Sequence, residues 1–151
     1  MFYKTYLRER KLITQLTKQE IAEKLTSKNI RPSLQRIAVY DFLLKNPVHP
    51  TVDTIYESLS QTIPTLSKTT VYNTLKQFAE ADLVTTITIE DGELRFDADT
   101  SDHMHFKCSS CGNVFDIFEK LNIGSNVIPK GFQLLKTQTY LWGICKDCAN
   151  R

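Results

Sequence analysis

The chain lacks any apolar run approaching the roughly 20 residues that a membrane span needs. Its opening stretch, Met1-Phe2-Tyr3-Lys4-Thr5-Tyr6-Leu7-Arg8-Glu9-Arg10, has neither an apolar core nor a small-residue cleavage site, so no secretory signal is read there and a cytoplasmic protein is expected. No Ser or Cys stands in the pattern of an activated nucleophile. Histidine is scarce, with only His49, His103 and His105 in 151 residues. No cysteine is left over either: all four fall in two C-x-x-C pairs, Cys108/Cys111 and Cys145/Cys148. In a cytosolic chain that pattern favours a metal over disulfides, and four thiolates of this spacing suit a tetrahedral zinc. The 33 residues between the pairs exceed the usual zinc-finger gap, so such a site would clamp a whole small domain.

What is present suits one medium domain or two small ones. A 41% hydrophobic content supports packed cores and excludes a disordered chain. The net charge of +2 hides an asymmetry: residues 1–80 carry 12 Lys/Arg against 7 Asp/Glu, and residues 81–151 carry 7 against 10. A basic front half is compatible with polyanion binding, an acidic rear half with cation binding.

Residues 1–16 read as an N-terminal arm. Thr17 and Glu20 then form a capping-box pattern ahead of a helix with Ile21, Ala22 and Leu25 on one stripe, ending at Ser27-Lys28-Asn29. A second helix starts after Arg31-Pro32-Ser33, with Ile37, Tyr40 and Leu44 on one face, and stops before Asn46-Pro47. A third runs from about Thr51 through Val52, Ile55, Tyr56 and Leu59. Ser67 is a good N-cap for a fourth over residues 68–81, with Val71, Leu75 and Phe78 inward. Its other face shows Lys68, Thr69, Tyr72, Asn73 and Lys76, side chains that suit phosphates and base edges as readily as plain solvent. Residues 84–89 and 94–97 flank Asp91-Gly92, a two-residue hairpin turn. Helices followed by this hairpin give the order of a winged helix-turn-helix. The helix over 68–81 would then be the recognition helix and residues 90–93 the wing tip. We expect Tyr72 and Asn73 to reach bases, with Arg31, Lys68 and Lys76 on phosphate.

After Asp97 the pattern changes. Residues 98–102 read as a hinge between a winged-helix domain over 1–97 and a metal-binding domain over 103–151. Strands are expected at 103–107, 114–118, 132–137 and 139–144, with at most a short, poor helix over 121–129, which holds Gly124, Ser125 and Pro129. The fold class is therefore α+β: an N-terminal winged helix-turn-helix plus a small α/β domain pinned by the four-cysteine zinc.

The same region holds a second constellation. His103 and His105 leave one face of a strand, Asp97 ends the wing strand, and Asp116 lies five positions beyond Cys111. His49 stands in the loop before the third helix. A lone histidine is more often structural than a ligand, whereas His-x-His beside two carboxylates is a stronger signal. Nitrogen and oxygen donors suit Fe(II) or Mn(II).

Taken together these residues resemble the ferric uptake regulator (Fur) family, from Arg31 to Cys148. The resemblance rests on His49-Pro50-Thr51, Ser67-x-x-Thr70-Val71-Tyr72-Asn73-x-Leu75, Arg95-Phe96-Asp97, Asp102-His103-x-His105, Cys108-x-x-Cys111-Gly112 and Gly143-x-Cys145-x-x-Cys148. It implies a homodimeric, metal-dependent repressor that binds palindromic, A/T-rich double-stranded DNA. It implies structural zinc on Cys108, Cys111, Cys145 and Cys148, and a regulatory metal on His49, Asp97, His103, His105 and Asp116. Aspartate at both 97 and 116 resembles the peroxide-sensing PerR branch, in which Fe(II) and hydrogen peroxide oxidise a ligand histidine at the positions of His49 and His103. The alternative within the family is an iron-responsive repressor of iron uptake genes. Two features depart from the family pattern. Many members carry a histidine-rich run and a later ligand for a further metal, and neither stands here. The long helix usual after Asp116 gives way to the Gly- and Pro-broken stretch 121–129.

A metal needing donors from both domains would hold the angle between them. In a two-fold dimer it would then set the spacing of the recognition helices to the roughly 34–36 Å between adjacent major-groove half-sites. A hydrolase built on His-x-His and carboxylates, and a zinc-stapled protein-interaction module, are the rival readings. Five protein donors would crowd out the open coordination position that a hydrolase needs.

Overall fold

The computed structural model describes residues 16–119, 121, 122, 124 and 126–151, so nearly all of the expected N-terminal arm lies outside them. Two compact units divide after Thr100.

In the first unit each helix begins where a hydroxyl side chain satisfies the orphan N–H groups of the first turn. Helix α1 (Lys18–Ser27) opens on a complete capping box: the Glu20 N–H donates to the Thr17 hydroxyl at 3.2 Å, and the Thr17 N–H donates to the Glu20 carboxylate at 2.6 Å. Ser33 caps α2 (Leu34–Lys45), Thr51 caps α3 (Val52–Leu59) and Ser67 caps α4 (Lys68–Glu80). Helices α1 and α4 end alike. Asn29 and Asp82 turn to φ +58° and +54°, and the next residue's N–H reaches back to Leu25 and Phe78, respectively, at 2.9 Å. That residue, Ile30 or Leu83, joins the core beside the carbonyl's owner.

The core gathers Ile21 and Leu25 of α1, Val39, Tyr40, Leu43 and Leu44 of α2, Ile55 of α3, and Val71, Leu75 and Phe78 of α4. Tyr40 and Phe78 meet edge to face, ring centres 5.6 Å apart at 80°. The hairpin of β1 (Thr85–Glu90) and β2 (Glu93–Asp97) follows, with Glu90 paired to Glu93 across the Asp91-Gly92 turn, where Gly92 takes φ +75°. A single bridge between Thr51 and Arg95 ties β2 to the start of α3.

The second unit is a three-stranded sheet in the order β4-β3-β5. Strand β3 (Met104–Cys108) pairs antiparallel with β4 (Val114–Ile117) and parallel with β5 (Tyr140–Gly143). A short helix α5 (Lys146–Ala149), not anticipated from the sequence, follows β5. Residues 132–137 are not a strand, contrary to expectation. Both sides of β3 are already occupied by β4 and β5, and the adjacent Leu134 and Leu135 break the alternation of a one-faced strand. Phe132, Leu134 and Leu135 are left exposed. Among the described residues of 121–129 none is helical, and a turn closes from the Val127 N–H to the Gly124 carbonyl at 3.0 Å. No helix among the described residues is long and apolar enough to cross a membrane.

Burial pushes the Tyr40 phenol up to about 12, so the folded unit holds this proton more tightly than the unfolded chain, whose tyrosines titrate near pH ~10. The stability is fully present below pH ~10 and is lost as pH rises through about 12. The urea midpoint of the helical circular dichroism signal should therefore fall across that window, and Tyr40→Phe should flatten the fall. An equally steep fall in the Phe variant would remove Tyr40 as its cause.

Candidate metal centres and nucleic-acid interface

The four cysteines come together because β5 lies beside β3. Cys108 ends β3, Cys111 sits in the turn to β4, Cys145 precedes α5 and Cys148 lies within it. The turn is tight: the Gly112 N–H donates to the Cys108 carbonyl at 2.9 Å, and Gly112 adopts φ +75°. The parallel ladder sets Cys108 opposite Gly143, whose carbonyl accepts from the Ser109 N–H at 2.7 Å. A side chain at Gly143 would meet the Phe106 ring at 2.9 Å and force it to move. All four Sγ atoms lie within 4.8 Å of one another, and the Cys111 and Cys145 sulfurs are 3.9 Å apart. A tetrahedral ion with metal–sulfur bonds of ~2.3 Å needs sulfurs about 3.8 Å apart, so the cluster has the right size.

The charges agree with the geometry. The backbone N–H of Cys111, and then that of Cys145 at 3.3 Å, hold the Cys108 thiol down to about 6. At Cys148 the Ser110 hydroxyl favours the thiolate, but the Cys145 thiol, burial, and the Cys111 and Cys108 thiols together outweigh it and push the group up to about 12. One thiolate is welcome here and its neighbour is not. Four become compatible when a cation offsets their repulsion.

The second unit also gathers a nitrogen–oxygen cluster. The register of β3 on β4 sets His105 opposite Asp116. The His103 and His105 Nε2 atoms are 3.0 Å apart, and Asp116 Oδ1 lies 3.3 Å from the first and 3.5 Å from the second. Two nitrogens bound at right angles to one ion at ~2.1 Å stand about 3.0 Å apart, so the pair fits adjacent coordination positions. His103 Nδ1 lies 2.8 Å from the Ser101 carbonyl. A carbonyl can only accept, so Nδ1 carries a proton and Nε2 is the nitrogen turned to the cluster. Phe118 stacks on the His103 ring at 4.9 Å. Neither Ser101 nor Phe118 was singled out in the sequence, where a serine and a phenylalanine near a histidine carry no signal of their own.

In the first unit His49 Nε2 lies 3.3 Å from Asp97 Oδ2, and both side chains are almost fully buried. His49 has φ +55°, a left-handed conformation that β-carbon-bearing residues seldom adopt. Its loop is held from β2: the Phe96 N–H donates to the Pro50 carbonyl at 3.1 Å, and Arg95 Nη1 donates to the His49 carbonyl at 3.2 Å. The second oxygen of Asp97 accepts from the Asp99 N–H at 2.8 Å.

Helix α4 buries Val71, Thr74, Leu75 and Phe78 and exposes Lys68, Thr69, Tyr72, Asn73 and Lys76. An aromatic left in water at a helix centre is unusual for packing and useful for contact with a base edge or sugar. Lys68 Nζ is 2.9 Å from Asp53 Oδ1 and lies over the Tyr56 ring at 5.7 Å. The Asp53 carboxylate raises the Lys68 ammonium above its ordinary value, keeping it charged. Arg31 is exposed, and its carbonyl accepts from the Arg36 guanidinium at 2.7 Å.

The sequence model of the ferric uptake regulator family matches residues 27–142. The peroxide operon regulator of Bacillus subtilis (strain 168) is 34% identical over 138 residues, covering 88% of this chain and 94% of that protein. The fold is similar to the ferric uptake regulator of Vibrio cholerae, with a TM-score of 0.67 and 26% identity over 82% of this chain and 98% of that one. It is also similar to the Helicobacter pylori Fur protein, with a TM-score of 0.70, 21% identity, and coverage of 89% and 95%.

If the four sulfurs hold one ion, Cys111→Ser should lower the tightly bound divalent metal measured by plasma mass spectrometry by about one equivalent per chain. The strands of the second unit should melt first, because structural ions of this type contribute roughly 10–16 kcal/mol to folding. An unchanged metal content would show that the cluster does not bind as a unit.

Proposed function

The chain belongs to the ferric uptake regulator family and is a metal-responsive, DNA-binding repressor of transcription; from that premise we propose that it answers peroxide through oxidation of a ligand histidine. The observation that carries the reading is the donor set itself. The regulatory carboxylates are both aspartates, Asp97 and Asp116, and the histidines beside them are buried and oriented through Nε2. The similarity to the Bacillus peroxide operon regulator points the same way.

In this reading Cys108, Cys111, Cys145 and Cys148 hold structural zinc, since thiolates favour that ion. His49, Asp97, His103, His105 and Asp116 supply the donors for regulatory Fe(II) or Mn(II). When bound, Fe(II) would catalyse the reaction of hydrogen peroxide with an imidazole, in which the ring gives up two electrons and takes one peroxide oxygen while the other leaves as water. The protein's part is to place His49 and His103 as the groups that take up oxygen. The Ser101 carbonyl keeps a proton on His103 Nδ1, the Phe118 ring stacks on the His103 imidazole, and Asp97 faces the His49 imidazole. An oxidised imidazole is a poorer donor, so the ligand set loses a member and affinity for DNA falls.

The DNA-reading surface is α4, with Tyr72 and Asn73 on bases, Lys68, Thr69, Lys76 and Arg31 on backbone, and the β1–β2 turn as wing. Two copies joined through the second unit would read the two halves of a palindromic, A/T-rich operator. The exposed Phe115, Leu141 and Trp142 of its sheet are surface that a homodimer would cover. The likeness to the Vibrio cholerae Fur protein favours a second reading, an iron-responsive repressor of iron uptake genes. A cytoplasmic location accords with either.

Zinc-loaded protein given Fe(II) and then peroxide should gain a single oxygen on the peptide carrying His49 or His103, seen by mass spectrometry, and lose operator binding. Mn(II) in place of Fe(II) should protect it. If the histidines stay unmodified while operator binding still follows iron, the iron-responsive reading takes over. For the DNA face, Lys68→Ala should reduce the slope of log affinity against log salt by about one unit, with operator preference unchanged. An unaltered slope would remove Lys68 from the phosphate contacts.

A further inference from the structure

We infer that Arg95 is a positioning residue that couples the wing to the metal-ligand loop, so that the placement of His49 depends on the wing carboxylate Glu90. The inference rests on His49 being a regulatory ligand, as proposed above.

The coupling begins with an irregularity in the hairpin. Ile87 pairs with Arg95, yet the next pair toward the turn is Glu90 with Glu93, so β1 advances three residues while β2 advances two. That extra residue is a β-bulge. In an unbroken ladder Glu93 would face Ile89, and Glu90 would turn to the other side of the sheet. With the bulge, Glu90, Glu93 and Arg95 share one face, and Glu90 stands diagonally from Arg95, within reach of long side chains. Arg95 Nε donates to the Glu90 carboxylate. Both side chains are mostly buried, at 20% and 16% exposure.

The same guanidinium donates from Nη1 to the His49 carbonyl at 3.2 Å. One rigid, planar group therefore spans the wing and the His49 loop, with the angle between its two contacts fixed by the fork. What it grips matters, because His49 sits at φ +55° and the direction of its imidazole toward Asp97 follows from that backbone conformation. The guanidinium is not needed to hold β2 in place: the Arg95 main chain bridges to Thr51, and the Phe96 N–H bonds the Pro50 carbonyl. Its two bonds add direction to His49 and tie that direction to Glu90. By reciprocity a ligand that fixes His49 also biases the wing, a route from metal to DNA that lies wholly within the first unit.

The test measures Mn(II) affinity of the full-length, zinc-loaded protein without DNA, from the free-ion paramagnetic resonance signal, with circular dichroism and melting temperature recorded in parallel. Arg95→Lys keeps the charge but loses the fork, and Glu90→Ala frees the guanidinium without touching a ligand. Both should weaken Mn(II) binding by about 10- to 100-fold, the range found when partners of metal ligands are removed. Glu90→Gln keeps an oxygen acceptor in place and should stay within about three-fold of the parent. Parent-like affinity in folded Arg95→Lys and Glu90→Ala would overturn the inference. So would a loss in Glu90→Gln equal to that in Glu90→Ala, which would make the effect one of charge and not placement. His49→Ala separates the two levels: if it leaves Mn(II) affinity unchanged, the ligand assignment fails and the inference with it. If it abolishes binding while the Arg95 and Glu90 variants bind normally, only the role of Arg95 falls.

Discussion

The bond from the Phe96 N–H to the Pro50 carbonyl is the constraint on which the arrangement of the first unit depends. Through it three consecutive residues of one strand act on one loop. Arg95 grips the His49 carbonyl, Phe96 enters the helical core, and Asp97 faces the His49 imidazole. Thr51, two residues beyond His49, is at once the bridge partner of Arg95 and the N-cap of α3. A loop fastened on one side to a strand and on the other to a helix start cannot drift independently of the helical core. This is how a histidine can be kept in a left-handed backbone conformation, which costs of order 1–3 kcal/mol and persists only where its surroundings over-determine it.

The second unit solves a different problem. A unit built on three short strands that leaves Phe132, Leu135 and Trp142 exposed has little core of its own. Its order nevertheless brings a turn of β3 and a helix start after β5 side by side, through the parallel pairing of β3 with β5 and a glycine where the Phe106 ring lies close. Four thiols so placed would repel one another as thiolates, because like charges within 4.8 Å of one another disfavour ionisation. An ion bound as proposed would turn that repulsion into attraction and hold the unit together.

Much of this was legible in the sequence because its signals are local. Thr17 with Glu20, Ser33, Thr51 and Ser67 mark helix starts by a hydrogen bond made within one turn, and Asp91-Gly92 marks a hairpin by the backbone angles it tolerates. Cysteine pairs are legible for a similar reason, since each pair is a small chelate closed by a few residues. What escaped depends on contacts between distant segments. Residues 132–137 carry strand-like side chains but find no partner, because pairing is a property of the sheet and not of the segment. Helix α5 is four residues long, too short for any periodicity to show. The bulge that turns Glu90 toward Arg95 is invisible in the alternation of Thr85–Glu90, because register is set across the ladder. Ser101 shows its value only once the His103 ring is seen to need a carbonyl on one nitrogen.

The two kinds of donor set differ in how firmly their positions are determined, and that difference suits a sensor. The cysteines are held by main-chain N–H groups, a tight turn and a helix start, all inside one small unit, and thiolates saturate a tetrahedral ion with no position left for a reactant. The histidines and aspartates lean on groups spread over several segments: the Ser101 carbonyl at His103, the Arg95 guanidinium behind His49, the Asp99 N–H at Asp97. Nitrogen and oxygen donors bind Fe(II) or Mn(II) more weakly than thiolates bind zinc, and each relies on partners whose loss is felt at the metal. A permanent ion can hold a fold together, but it cannot report a change. A labile one, bound by the proposed oxidisable ligands and tied to the wing through Arg95, would do so without disturbing the fold that carries it.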